Sequence, residues 1–340
     1  CWTPDSASLI FACDRDGPTA LWSVDTSGNN LLPVTRGPGI CDSPTTSADG
    51  NRLVFSFDSR RWYFHLADSV DGHARPVLDL PGVRSAALSP DGSMIALALG
   101  EEAQSPAVSI FDHSTGERRT LSGMAALEVA WMPDGEGLVM SAPAPDGTAS
   151  WVWQLELGGG LPRPIMSGAA DWRSPRPSPD GSRIAAIRGA ENGVELVVKD
   201  LDHGSEQRVA RNPVIEAPRW SPDGRFLAWS GRQRSEDTES GGIWVCELPT
   251  GTPRRLTLDG AWPVWEPDGT HLLYGRFLHE RGIWRVSLTG GEPQMARTLE
   301  PEMAGLYLEK LETGRNGRPI LFLSAQFLGE LYALEAPAGP

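Results

Sequence analysis

The chain has 340 residues, 40% of them hydrophobic and 22% charged, with a formal net charge of −14. Such a composition supports a packed core, while the acidity argues against duplex nucleic acid as a partner, because phosphate binding needs a basic face that releases counterions. No apolar run approaches the roughly 18 residues of a spanning helix, so membrane insertion by this chain is not expected, and the four cysteines, Cys1, Cys13, Cys41 and Cys246, show neither a CxxC pair nor metal-ligand spacing.

The sequence opens at Cys1 without a Met and runs directly into a strand pattern, as expected of a piece of a longer polypeptide. A turn motif then recurs along the whole chain. It reads Pro4-Asp5-Ser6, Ala48-Asp49-Gly50, Pro90-Asp91-Gly92, Pro133-Asp134-Gly135, Pro179-Asp180-Gly181, Pro222-Asp223-Gly224 and Pro267-Asp268-Gly269. The first positions are spaced by 44, 42, 43, 46, 43 and 45 residues, and a looser copy stands at Arg315-Asn316-Gly317. A period this constant is the mark of a repeat architecture.

Each part of the motif has a job in a tight turn. Proline sets φ near −65°, aspartate bonds the neighbouring backbone, and glycine accepts the positive φ that ends the turn. Asp5, Asp49, Asp91, Asp134, Asp180, Asp223 and Asp268 are therefore read as structural. An apolar strand precedes each turn, as at Ala217 to Trp220, and a β-rich strand such as "RFLAWS" follows it. A third strand, often with Trp, comes next ("ALWSV", "GIWVCEL", "GIWRVSL"), then a Gly-bearing hairpin and a fourth strand. Four short strands in about 44 residues make one blade of a β-propeller.

The expected fold is thus all-β, a β-propeller of four-stranded antiparallel blades forming a single domain over 1–340. The repeat units are 1–40, 41–83, 84–126, 127–169, 170–214, 215–259, 260–303 and 304–340. Eight blades are expected, the last with three strands; seven is the alternative. The tryptophans fall at fixed places. Trp2, Trp131, Trp220 and Trp265 stand two residues before the first turn position, and Trp22, Trp244 and Trp284 on third strands; all are expected to fill the gaps between facing sheets.

Pro218-Arg219-Trp220-Ser221-Pro222-Asp223-Gly224 and the run from Ile283-Trp284 to Gly290-Gly291 resemble the TolB-like, or PD40 (WD40-like), β-propeller repeat family. The likeness extends over practically the whole chain, with departures at Ser6, at Ala48 and in the eighth repeat. It implies a non-enzymatic binding or scaffold propeller with a protein or peptide partner, or the sensory C-terminal half of a bacterial regulator. It also implies a periplasmic or other extracytoplasmic location, with the cytoplasm as the alternative. Enzymes with similar repeats supply the alternative function. One is an oligogalacturonate-lyase-like polysaccharide lyase, with histidines clustered about a metal; the other is the detached propeller of a prolyl-oligopeptidase-type peptidase.

No catalytic signature supports those alternatives. A GxSxG elbow and an HExxH pair are both absent. The six histidines, at 65, 73, 113, 203, 271 and 279, repeat no blade position, so neither a metal nor another cofactor is expected. A ligand is expected at one mouth of the central channel, on loops carried by rigid strands. Six residues before the turn the chain places Asp42, Arg84, Leu127, Arg173, Glu216 and Ala261. Asp42, Arg84, Arg173 and Glu216, with Trp172 and Trp262 beside them as exposed anchors, form the expected partner-binding site.

Overall fold

A computed structural model describes residues 1–13, 20–35, 40–47, 49, 52–67, 75–78, 83–100, 107–234, 239–276, 282–298, 307–313 and 320–335. Every regular element among them is a β-strand. The chain divides into two compact units, one of residues 1–61 and 325–340, the other of residues 62–324.

The larger unit contains five complete four-stranded antiparallel sheets, each with its strands in chain order. The blade of the fifth repeat shows how sequence makes one. Its inner strand Trp172–Pro177 pairs with Arg183–Ala190, which pairs with Gly193–Asp200, which pairs with Glu206–Asn212. Alternating apolar residues point into the gaps between blades: Ile184, Ala186, Val197 and Trp172 pack into one cluster, Ala185, Ile187, Leu196 and Val198 into the next. Two faces of one sheet thus feed two cores, which is why these strands read as nearly continuous apolar runs.

The turn chemistry is as the motif requires. At Ser221-Pro222-Asp223-Gly224 the Ser221 hydroxyl donates to Asp223 Oδ1 (2.6 Å), the Arg225 amide donates to the same oxygen (3.0 Å), and the Phe226 amide donates to Ser221 Oγ (2.8 Å). Gly224 takes φ +70°, the left-handed conformation that closes the turn. The Asp91 turn repeats this set with Ser89, Ser93 and Met94.

The repeats are stapled to one another by the tryptophans before the turn. Trp131 Nε1 donates to the Ala87 carbonyl, Trp220 Nε1 to the Arg176 carbonyl and Trp265 Nε1 to the Arg219 carbonyl, at 2.9–3.1 Å. Each bond joins a blade to the one before it, and each contributes on the order of 1 kcal/mol.

The smaller unit holds the sheet Ser8–Cys13, Ala20–Asp25, Leu32–Pro33, and the pairing of Ile40–Thr46 with residues 53–58. Its core is Ile10, Leu21, Cys41, Leu53 and Phe55. Trp2 departs from expectation: it is 55% exposed. The inner strand of the first repeat shrinks to one isolated bridge, Trp2 to Leu9, so the indole has no flanking strand to pack under.

Two further departures concern strand length. In the second repeat the expected second and third strands are one 16-residue strand, Arg52–Ala67, and the eighth repeat contains Tyr307–Thr313 and another 16-residue strand, Ile320–Glu335. Neither "FDSRRW" nor "AQFLGEL" carries the Pro or Asn-Gly signal that would turn the chain back.

Candidate functional site

The inner strands contain a feature that the repeat spacing conceals. In Trp172–Pro177, Arg173 faces Ile187 and Arg176 faces Ala185, so three steps on one strand match two on its partner. The same extra residue separates Glu216 from Arg219, Ala261 from Val264, and Asp42 from Thr45. These are β-bulges, and the residue after the first of each pair has φ of 49–54°: Ser174, Ala217, Trp262 and Ser43. Four non-glycine residues held in the left-handed region at equivalent places are a designed device. Each bulge swings the residue three before the turn onto a new face.

In the larger unit those residues converge. Ala87, Ala130, Arg176, Arg219, Val264 and Glu312 line one cavity of about 370 Å³, with Trp131, Trp220, Trp265 and the turn prolines 90, 133, 179, 222 and 267. Small residues on three inner strands make the space; two arginines and one glutamate on the other three give it charge.

The two arginines are buried, with 7% and 8% of their surface exposed. Arg219 donates to Glu312 Oε1 at 2.7 Å and to the Pro218 carbonyl at 3.1 Å. Arg176 lies 3.5 Å from the same carboxylate oxygen and donates to the Pro175 carbonyl at 2.9 Å. Its Nε is buried with no hydrogen-bond partner. Burial, and then the charge of Arg176, push the Arg219 guanidinium down to about 10, against the opposing pull of Glu312 and Glu128. Arg219 is therefore still a cation at neutral pH. Glu128 accepts a hydrogen bond from Ser174 at 2.8 Å. The one hydroxyl among the described lining residues, Ser178, belongs to its turn: it donates to Asp180 Oδ1 and accepts from the Arg183 amide.

The sequence-predicted site lies elsewhere along the strands. Arg84, Arg173 and Glu216 are exposed and do not line the cavity; they stand three residues upstream, about 10 Å at the usual rise of a strand. Asp42 pairs through its backbone with Ser56, and its side chain lies outside the described residues. Trp172 is a correction: it is 3% exposed, packed with Met166, Ile184 and Val197 under the Arg188 guanidinium, 5.3 Å from its ring centre. Trp262 is half-buried and serves as a bulge residue.

The residues that reasoning from sequence missed are Arg176, Arg219 and Glu312. The signal was present: the position between Pro and Trp in "PRWSPDG" reads Ala87, Ala130, Arg176, Arg219, Val264 and Glu312 through successive repeats. A plain period of two from position −6 leads to −4 and −2, whereas in the fifth, sixth and seventh repeats a bulge intervenes between −6 and −3.

Metal ligation has little support. Among the described residues, one group of three candidate ligands occurs, Glu266, Asp268 and His271. Arg285 already holds both oxygens of Glu266 at 2.6–3.0 Å, and Thr270 holds Asp268. His113 bonds the Gly92 carbonyl and His203 bonds Asp200, each within its own blade region. His73 and His279, and the side chain of His65, lie outside the described residues.

No protein-family model matches the chain. It is similar to the uncharacterized peptidase YuxL of Bacillus subtilis, 27% identical over 174 residues, covering 49% of this chain and 25% of that protein. It is similar to the Tol-Pal system protein TolB of Francisella tularensis, 23% identical over 232 residues, covering 65% of this chain and 53% of that one. The chain thus spans between a quarter and about half of the length of these relatives. Among solved structures, a TolB from Agrobacterium tumefaciens superposes with a TM-score of 0.61 at 18% identity, covering 79% of this chain and 99% of that one, which shows the fold.

Proposed function

We propose, from the premise that this is a chain of TolB-like β-propeller repeats, that it is a non-enzymatic binding propeller which takes a protein or peptide segment into the cavity of its larger unit. The carrying observation is the cavity itself. Its walls are tryptophan, proline, alanine and valine, suited to apolar side chains, and its polar groups are a buried cation pair with one counter-charge. Apolar walls with a few convergent polar groups are the usual composition of a ligand site. Among the described lining residues the one hydroxyl, Ser178, is bonded to a turn aspartate and there is no histidine, so these residues do not pair a nucleophile with a base. The exposed Arg84, Arg173 and Glu216 at the upstream end of the strands are a second, rim contact in this reading.

The likeness to a named peptidase favours a second reading, in which the chain is the propeller part of a peptidase and the same cavity receives substrate peptides. A polysaccharide-lyase reading would need histidines grouped about a metal; among the described residues the one group of three candidate ligands, Glu266, Asp268 and His271, has a single histidine. An extracytoplasmic location belongs to the binding reading and is checked by fractionating cells that express the gene from its own start.

The test uses a chymotryptic digest of casein, whose peptides end largely in apolar residues, equilibrated by dialysis against the 340-residue chain and read by mass spectrometry. Binding without chemistry predicts retained peptides and no new chain ends. New chain ends would establish an enzyme, and retention of nothing would remove the binding reading.

A further inference from the structure

Arg176 and Arg219 sit on adjacent inner strands, and both guanidiniums reach one oxygen of Glu312. A guanidinium is a planar five-donor group, and Arg176 uses only part of that capacity here. Arg219 makes the short bond. Arg176 is left with one bond to the carbonyl before it, a 3.5 Å ion pair and a buried Nε without a partner. An unfilled guanidinium, more than nine-tenths buried in the wall of a cavity, is costly unless something else occupies it. Among the described residues, the carboxylates acting on the pair are Glu312, hydrogen-bonded to Arg219 and ion-paired with Arg176, and Glu128, whose carboxylate accepts from Ser174.

We infer that Arg176 and Arg219 are a receptor for the terminal carboxylate of a peptide, with Glu312 as the built-in occupant that an incoming carboxylate joins or displaces. This rests on the peptide-binding reading above and names the group that is recognised. A carboxylate matches a guanidinium fork in plane and spacing. A chain end fits a cavity of about 370 Å³ better than an internal acidic side chain, because it brings a single strand through the opening. The indoles of Trp131, Trp220 and Trp265 and the small Ala87, Ala130 and Val264 then surround the last side chain, which is expected to be apolar. A sugar acid would need several hydroxyl partners, and the lining residues offer few.

The experiment uses a pool of tetrapeptides randomised at every position, made once as free acids and once as C-terminal amides. Each pool is dialysed to equilibrium against the chain, with galacturonate as a third probe. The free acids are expected to be retained roughly tenfold or more over the amides, the value of one charge-assisted pair. Arg176→Gln should erase that preference, and Glu312→Gln should raise retention of the acids several-fold by removing the competing carboxylate. The acid-to-amide comparison on the unmodified chain decides the matter even if a variant fails to fold. Equal retention of acids and amides overturns the carboxylate receptor while peptide binding stands. Retained amides enriched in Asp or Glu overturn the chain-end assignment. Galacturonate retained as well as the best acids overturns the peptide source, and retention of no peptide overturns both readings.

Discussion

At the scale of single residues, the turn aspartates convert a sequence motif into stability. Asp223 accepts from the Ser221 hydroxyl and the Arg225 amide, so Asp223→Ala is expected to destabilise by about 1 kcal/mol or more, measured by denaturant unfolding. The Asp91 carboxyl is held below its ordinary value, chiefly by the Ser89 hydroxyl and then by the Ser93 amide, with burial opposing. Its folded value is the lower one. The stability it gives is therefore present above the unfolded carboxylate range and lost as pH falls through the depressed value. The thermal midpoint should drop as pH goes below about 4, and less steeply in Asp91→Asn. Arg173→Ala should change stability by no more than about 0.5 kcal/mol, as befits an exposed side chain; a larger loss would give Arg173 a structural role. These aspartates were legible in the sequence because Pro, Asp and Gly act locally. Arg176 and Arg219 were not, because what makes them a site is burial and a shared carboxylate in a distant repeat, which no local pattern records.

At the scale of the element, the blade was legible and its bulge was not. Period-two apolar runs, turn motifs and hairpin glycines are enough to write four strands. The extra residue before Arg176, Arg219 and Val264 leaves no mark in residue type: Ser174, Ala217 and Trp262 are not residues that favour a positive φ. Only the pairing register exposes them. Spacing alone was likewise enough to place Trp131, Trp220 and Trp265, whose indole N–H groups tie each inner strand to its predecessor. Trp220→Phe should leave the Arg176 carbonyl without that donor and a small void beside it, a loss of about 1–2 kcal/mol by thermal or chemical unfolding. It should also loosen the Arg176 backbone, so that amide exchange quickens across Trp172–Pro177 before it does in the neighbouring blades.

At the scale of the whole molecule, an acidic chain carries a buried basic site. The net charge of −14 is spread over the polypeptide, while the one cavity described is lined by two arginines against a single glutamate. Repetition supplies the contrast: six inner strands present the same position to one space, and a few departures from small apolar residues are enough to make that space specific. The measurement that tests the account most directly is hydrogen-exchange footprinting of the chain saturated with the best-retained peptide. Protection is predicted at the turn-side ends of the inner strands, around Trp131, Arg176, Arg219 and Trp265, with Arg84, Arg173 and Glu216 changing less. Protection confined to Arg84, Arg173 and Glu216, with the cavity residues unchanged, would place binding at the upstream rim and contradict it.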